Sequence, residues 1–476
     1  MMLSCLLLAV TTFTRPLDRV NTLDPALSQS AYDARAIALV YESPLAVDYA
    51  ARPYRLTAGC CELPEISADG LVYTLRVRRL TAQAVVRALE RLRDPSVVSP
   101  NAWIMSGVES VRAIDGRTVE IRLRRRIDYF SWLLAMPATG VVGEDGEGSG
   151  PFRLTHWRKN HEMVFDRRVS APGRFDRVRY LVVDDASTQW LMFLRGEVDF
   201  LGEIARDNWE SVVGGDGRLN SLLAAEGIEL HSLCALEVAY VGINMRDPLL
   251  GTNRKLRQAL NAAFDYPAWE RFCNGRTLPC DGPVPLGVAG RLEAPFPYAS
   301  NLALAKRLVA EAGYPGGIDQ KTGRRLTLTL SIGRASQESR EAGELMAAFY
   351  ERVGLRLELK FMTWDSFLRA VNEGRVQLYR MGWVGDYPDA QNFLQLFHSA
   401  NVCPGVNHSN YVNAEYDEAY GRGDWARCQE IVREDCPWVF VNFARSFSLA
   451  RPSVENYIPS DFPYGGEAHY RVGAMK

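Results

Sequence analysis

The chain has 476 residues, 47% apolar and 24% charged, with 55 Lys and Arg against 57 Asp and Glu and a formal net charge of −2. That length supports two or three packed units with cores of their own, and the composition is that of ordinary folded domains. The charge balance offers no basic excess for gripping a nucleic-acid backbone, and no apolar run approaches the ~20 residues of a membrane-spanning helix.

Leu3 to Val10 is the most apolar stretch. No Lys or Arg precedes it and no clean small-x-small cleavage pattern follows, which argues against a secretory signal here and against lipid processing at Cys5. The reading favoured is that Leu6 to Phe13 forms a first buried strand and that an export signal lies upstream. Leu71 to Val77 reads as a strand introduced by the turn Ala68-Asp69-Gly70. Thr81 to Leu92 reads as an amphipathic helix with Thr81 as its N-cap and Asp94-Pro95 as its end. Val108 to Leu123 reads as a hairpin turning at Asp115-Gly116. The Arg-rich stretches Arg76, Arg78, Arg79 and Arg122, Arg124, Arg125, Arg126 fall on these strands and read as a solvated face.

Glu144 to Gly150, rich in glycine and acid, breaks the pattern before a strand at Pro151 to Leu154, so it reads as a connection. A further region opens near Val238. It carries helices at Arg254 to Phe264, Ala303 to Gly313 and Glu338 to Val353, and strands at Leu326 to Ile332 and Leu355 to Phe361. The class is α/β with mixed sheets and at least two lobes, their connections near Gly148 and Cys234.

Catalytic signatures are missing. The six histidines form no HxxxH metal pair, and no GxSxG, GxGxxG or GK[ST] phosphate loop occurs. The acidic pairs Asp184-Asp185 and Asp386/Asp389 suit caps, turns or ligand anchors better than a general acid/base couple. Nine cysteines without a CxxC speak against a zinc ribbon. Cys273 and Cys280 bracket a short loop and are either a local disulfide or two free thiols.

Several segments in order carry a resemblance: Asn21-Thr22-Leu23-Asp24-Pro25-Ala26, Val40-Tyr41-Glu42-Ser43-Pro44-Leu45, Asp69-Gly70-Leu71-Val72-Tyr73-Thr74-Leu75-Arg76, Gly148-Ser149-Gly150-Pro151-Phe152, and Gly196-Glu197-Val198-Asp199. The order continues through Val241-Gly242-Ile243-Asn244, Arg257-Gln258-Ala259-Leu260-Asn261-Ala262-Ala263-Phe264-Asp265, Ala305-Lys306-Arg307-Leu308-Val309-Ala310-Glu311-Ala312-Gly313-Tyr314, and Gly382-Trp383-Val384-Gly385-Asp386-Tyr387-Pro388-Asp389 followed by Asn392-Phe393-Leu394. Together these resemble the family 5 extracellular solute-binding proteins of ABC importers, which include the oligopeptide-, dipeptide- and nickel-binding proteins. The chain departs from the family pattern after Arg79, where a glycine-containing loop is missing, and between Tyr420 and Arg427, where a helical segment is shortened.

The resemblance implies a periplasmic-binding-protein-like fold of two lobes with a small inserted domain, closing by a hinge on a solute. It implies a first lobe of residues 1–45, 148–235 and 445–476, an inserted domain of 46–147 and a second lobe of 236–444. It also implies a periplasmic or extracellular, monomeric protein that is not an enzyme, holds no metal or cofactor, and delivers di- or oligopeptides to ABC permease subunits. In peptide-binding members the Asp three residues after the Gly-Trp tryptophan pairs with the α-ammonium group. Here that is Asp386, with Trp383 as an aromatic wall and the backbone of Gly382 and Val384 pairing with the peptide as an added strand. The alternative is a structural turn with Trp383 in the core. Tyr387 and Tyr411 are further wall or core, and Arg334 or Arg340 is the candidate cation for a carboxylate, surface arginine being the alternative. Gly148 and Gly150 read as hinge or tight-turn glycines. Competing readings are a non-peptide solute such as a metal chelate, opine or sugar, or an enzyme or sensory receptor reusing the fold.

Overall fold

The computed structural model describes residues 10–473 apart from 18, 29, 49, 170–172, 205–207, 215–217, 335, 404 and 461–465. The chain divides into two compact units, residues 1–233 with 447–476, and residues 234–446. The strands Glu229–Ile243 and Trp438–Ala450 carry the chain across that division.

The first unit contains a four-stranded sheet in the order Thr12–Leu17, Arg177–Val182, Glu162–Arg167, Phe152–Arg158. Its first pair is parallel and the others antiparallel. Phe13, Phe152, Phe165, Tyr180 and Tyr470 fill the core beneath it. The first strand therefore lies later than expected. Residues 6–9 of the expected strand are outside the described residues, and pairing runs from Thr12 to Leu17 through Arg15 and Pro16. Arg15 does not end the strand because it is 7% exposed and ion-paired at 3.3 Å with fully buried Glu467.

A second sheet of the same unit, all antiparallel, runs Glu65–Ile66, Val72–Arg76, Thr118–Leu123, Val108–Ala113. Helix Ala82–Arg93 accompanies it, capped by Thr81, whose hydroxyl accepts from the Ala84 N–H. Gly148 and Gly150 owe their identity to close approach. A Cβ on Gly148 would lie 1.9 Å from the Val40 carbonyl oxygen, and the Gly150 N–H donates to that same oxygen at 2.9 Å.

The second unit is built on a mixed sheet. Leu378–Val384 lies antiparallel beside Glu229–Ile243 on one side and parallel beside Thr327–Ile332 on the other, with Arg356–Phe361 outermost. Beyond Glu229–Ile243 stand Trp438–Ala450 and the short strand Thr277–Pro279 paired to it. Helices Arg254–Ala263, Leu302–Glu311 and Gln337–Glu351 start at side-chain caps from Asn253, Asn301 and Ser336. They bury Leu256, Leu260, Leu308, Val309, Met346 and Phe349 against Leu328, Leu330 and Val439 of the strands.

The segment Arg257 to Asn261 is structural. Arg257, 4% exposed, donates to the carbonyls of Leu250, Gly251 and Asp435. Asn261 donates to the Trp438 carbonyl and accepts from the Phe440 N–H. Asn244 likewise donates to the carbonyls of Gly374 and Val376. Each long polar side chain satisfies buried backbone groups that have no ladder partner. Cys273 and Cys280 are free thiols, the latter buried and donating to the Gly282 carbonyl.

Candidate functional site

The strand Leu378–Val384 carries the centre of the site, and its two edges are unlike. On one side it pairs along its whole length, from Ile243 opposite Leu378 to Glu237 opposite Val384. On the other side the register stops at Ile332 opposite Arg380. Among the described residues no strand pairs with Met381 to Val384 on that second side, so alternate backbone N–H and C=O groups there face outward. Gly382 and Val384 are exposed, Val384 at 66%.

Immediately after this edge the chain turns through Gly385 and Asp386 into the helix Ala390–Leu394, capped by Asp389. The helix places Asn392, fully buried, behind the turn. The Asn392 Oδ1 accepts from the Trp383 Nε1–H at 2.9 Å and from the Asp386 N–H at 3.2 Å, while its Nδ2 donates to Asp386 Oδ2 at 3.1 Å. One side chain thus fixes both the indole and the carboxylate. Asp386 is exposed at its surface, yet it is surrounded by enough protein to lose part of its hydration. That desolvation raises its pKa above the ordinary aspartate value, and the Asn392 hydrogen bond opposes the rise. Among the described residues no cation lies within ion-pairing distance of it.

Arg380 shares a strand face with Gly382 and Val384. It is half-buried, its guanidinium 5.7 Å from the Trp269 ring, and burial pushes its pKa down. Arg334 is exposed and lies two residues past Ile332, at the end of the neighbouring strand where the second edge of Leu378–Val384 becomes free. Arg340 is held elsewhere. Its guanidinium stacks 4.8 Å over Phe361, on the outermost strand, two positions away in the sheet.

Tyr387 and Tyr411 belong to the core of the second unit, at 3% and 2% exposure. The Tyr387 hydroxyl donates to Gln391 Oε1, and the Tyr411 hydroxyl donates to Asp435 Oδ2 at 2.6 Å. Tyr411 also packs edge-on against Phe397 and Tyr416. Of the wall-or-core alternatives, packing is what holds both rings. Tyr387→Phe is expected to lower stability by about 1 kcal/mol, the worth of one buried hydrogen bond, and to leave solute affinity within two-fold, read by urea unfolding and calorimetric titration.

One member of each acidic pair is a helix cap. Asp185 caps helix Ala186–Leu194 and Asp389 caps Ala390–Leu394. In the first unit a cavity of about 460 Å³ is lined by Tyr41, Glu42, Asp48, Arg79 and His469 among others. Arg79, at the missing loop, pairs there with Glu42 at 3.3 Å. No residue expected at the site lines it.

Residues 43–402 match the bacterial extracellular solute-binding proteins, family 5 middle region. The chain belongs to that family. Heme-binding protein A of Haemophilus influenzae is similar, 24% identical over 86% of this chain and 82% of its own length. The glutathione-binding protein GsiB of Escherichia coli K12 is 24% identical over 92% of this chain and 90% of its own. The unliganded open form of the periplasmic murein tripeptide binding protein MppA shares the fold at a TM-score of 0.84, with 20% identity and 98% of each chain covered. As a family 5 solute-binding protein, the chain has the family and fold of substrate-binding proteins of ABC importers. Among the described residues no helix is long and apolar enough to cross a membrane and no group of three or more metal-ligating side chains occurs.

The features missed in the sequence are Asn392 and Arg380. Arg380 could have been found from the two-residue strand period that groups it with Gly382 and Val384. Asn392 stands in the quoted Asn392-Phe393-Leu394, six residues after Asp386, but its clamp depends on the helix folding back behind the turn.

Proposed function

We propose that this solute-binding protein captures short peptides, or small solutes that present the same ammonium and backbone groups, for delivery to ABC permease subunits. The observation that supports this most directly is the free strand edge Met381 to Val384 ending at Asp386, an exposed carboxylate with no cation near it among the described residues. An extended peptide adds to that edge through main-chain hydrogen bonds, which give affinity without reading side chains. Its α-ammonium meets Asp386 in a charge-assisted hydrogen bond. Trp383, held by Asn392, supplies a flat apolar surface beside it. Arg380 and Arg334 are the cations for a carboxylate of the solute, because a solute anion taken out of water requires a partner. Closure of the second lobe onto the first, with residues 46–147 as an inserted domain, completes the reading.

The test is calorimetric titration with tripeptides carrying a free or an acetylated amino terminus. Acetylation is expected to cost at least ten-fold in affinity. The pH dependence has a defined sign. Asp386 must be ionised to hold the ammonium, and its pKa in the unliganded protein is raised. Affinity is therefore full well above that pKa and is lost as pH falls through it, at a pH above the ordinary aspartate value of about 3.9. Equal affinity for free and acetylated peptides would falsify the ammonium assignment. Native mass spectrometry of freshly purified protein identifies the resident solute directly.

A further inference from the structure

A second carboxylate flanks the same strand from its paired side, and nothing above uses it. Glu237 is opposite Val384 in the register of Glu229–Ile243 with Leu378–Val384, so its side chain shares a face with Val384 and, diagonally, with Gly382. Gly382 has no side chain, and Glu237 leans into the room this leaves: its Oε1 is 3.7 Å from the position a Cβ on Gly382 would take. Glu237 is half-buried, and desolvation raises its pKa. Among the described residues its carboxylate has neither an ion pair nor a hydrogen bond. The residues beside it, Gly382 and Val384, are exposed and belong to the strand where the solute is read to lie.

A half-desolvated carboxylate that the protein itself does not pair is unfavourable in the empty state unless something else compensates it. A glutamate that served only for solubility would extend into water, with its carboxylate fully hydrated. Here the side chain folds back over a glycine of the solute-facing strand, so a guest on that strand has to accommodate it.

We propose that Glu237 is a specificity-determining residue that contacts the solute, and that the preferred solutes carry a second cationic group, a lysine- or arginine-like side chain, near the ammonium held by Asp386. This rests on the reading of Met381 to Asp386 as the solute site and narrows the solute class within it. Glu237 supplies the counter-charge for the second cation. Arg380 and Arg334 remain available for the solute's carboxylate, so a basic peptide finds a partner for every charge.

The test is calorimetric titration of the full chain and its Glu237→Gln and Asp386→Asn variants against tripeptides of alanine carrying lysine or norleucine at each position in turn. Norleucine keeps the aliphatic stem and removes the ammonium. In the native chain, lysine is expected to be preferred over norleucine at least ten-fold at one position. In Glu237→Gln that preference falls below two-fold while affinity for the norleucine peptide is unchanged. Asp386→Asn weakens lysine and norleucine peptides alike and keeps their ratio. Peptides that bind through Asp386 with no lysine preference, or a preference that survives Glu237→Gln, overturn the inference and leave the peptide reading intact. Failure of the native chain to bind any of these peptides overturns the peptide reading and this inference with it.

Discussion

Asp386→Ala is expected to weaken binding of a peptide with a free amino terminus by more than about 2 kcal/mol, roughly 30-fold, within the range for removing one partner of a desolvated charge pair. The solute's ammonium would be left without a counter-charge in a place where water cannot fully replace it. Folding should change little. In the free protein Asp386 accepts one hydrogen bond, from Asn392, and is exposed at its surface. Its loss leaves Asn392 Nδ2 unpaired but disturbs no packed side chain. Asp386→Asn, which keeps the shape and removes the charge, should lose nearly as much affinity. That result assigns the effect to charge and not to a cavity. Titration calorimetry and thermal unfolding of both variants separate the two readouts, and an affinity that stays unchanged in both removes Asp386 from the solute site.

How much of this was legible beforehand depends on where the deciding contact lies. Thr81 as a helix cap and the hairpin at Asp115-Gly116 were readable because cap, turn and periodicity are local in sequence. The order of motifs through Gly382, Trp383 and Asp386 gave the family, and the comparisons bear it out. What the residues could not disclose was set by partners far along the chain. Tyr411 next to the motif region could be wall or core, and the choice rests with Asp435 and Asn407, which tie it into the interior. Arg340 carries the right charge, but the ring of Phe361 lies under it. The strand expected over Leu6 to Phe13 pairs on to Leu17, through Arg15, whose ion-pair partner Glu467 stands more than four hundred residues later. The glycines of Gly148-Ser149-Gly150 were read as hinge or turn residues, and the close approach of the Val40 carbonyl is what requires them.

The polar clamps teach the same lesson in the other direction. Arg257, Asn261 and Asn244 are polar residues within the quoted motifs, and all three donate hydrogen bonds to backbone carbonyls. A motif residue is open to a solute only where its polar atoms are left facing outward, which holds for the exposed carboxylate of Asp386 and not for Arg257.

Asn392 is the residue in which stability and binding meet, and Asn392→Leu is expected to damage both. Leucine keeps the branching and heavy-atom count of asparagine, and although its methyl groups are bulkier at this fully buried position, the larger part of the cost is polar. The Trp383 Nε1–H and the Asp386 N–H both lose their acceptor, and Asp386 Oδ2 loses its donor. Orphaned buried donors cost about 1–3 kcal/mol each. Part of that is recovered where water reaches the exposed turn, so a loss of about 2–4 kcal/mol is expected in the urea unfolding of the second unit. The Asp386 carboxyl should move further upward in pKa, since the hydrogen bond that opposes desolvation is gone. Indole and carboxylate also lose the group that holds them together, so affinity for a free-amine peptide should fall at least ten-fold and its acid limb should shift to higher pH. A purely structural role would lower stability and leave that limb in place. Asn392→Leu with unaltered affinity and an unmoved acid limb would show that the clamp does not prepare Asp386 for a cation, and the site would have to be sought away from this turn.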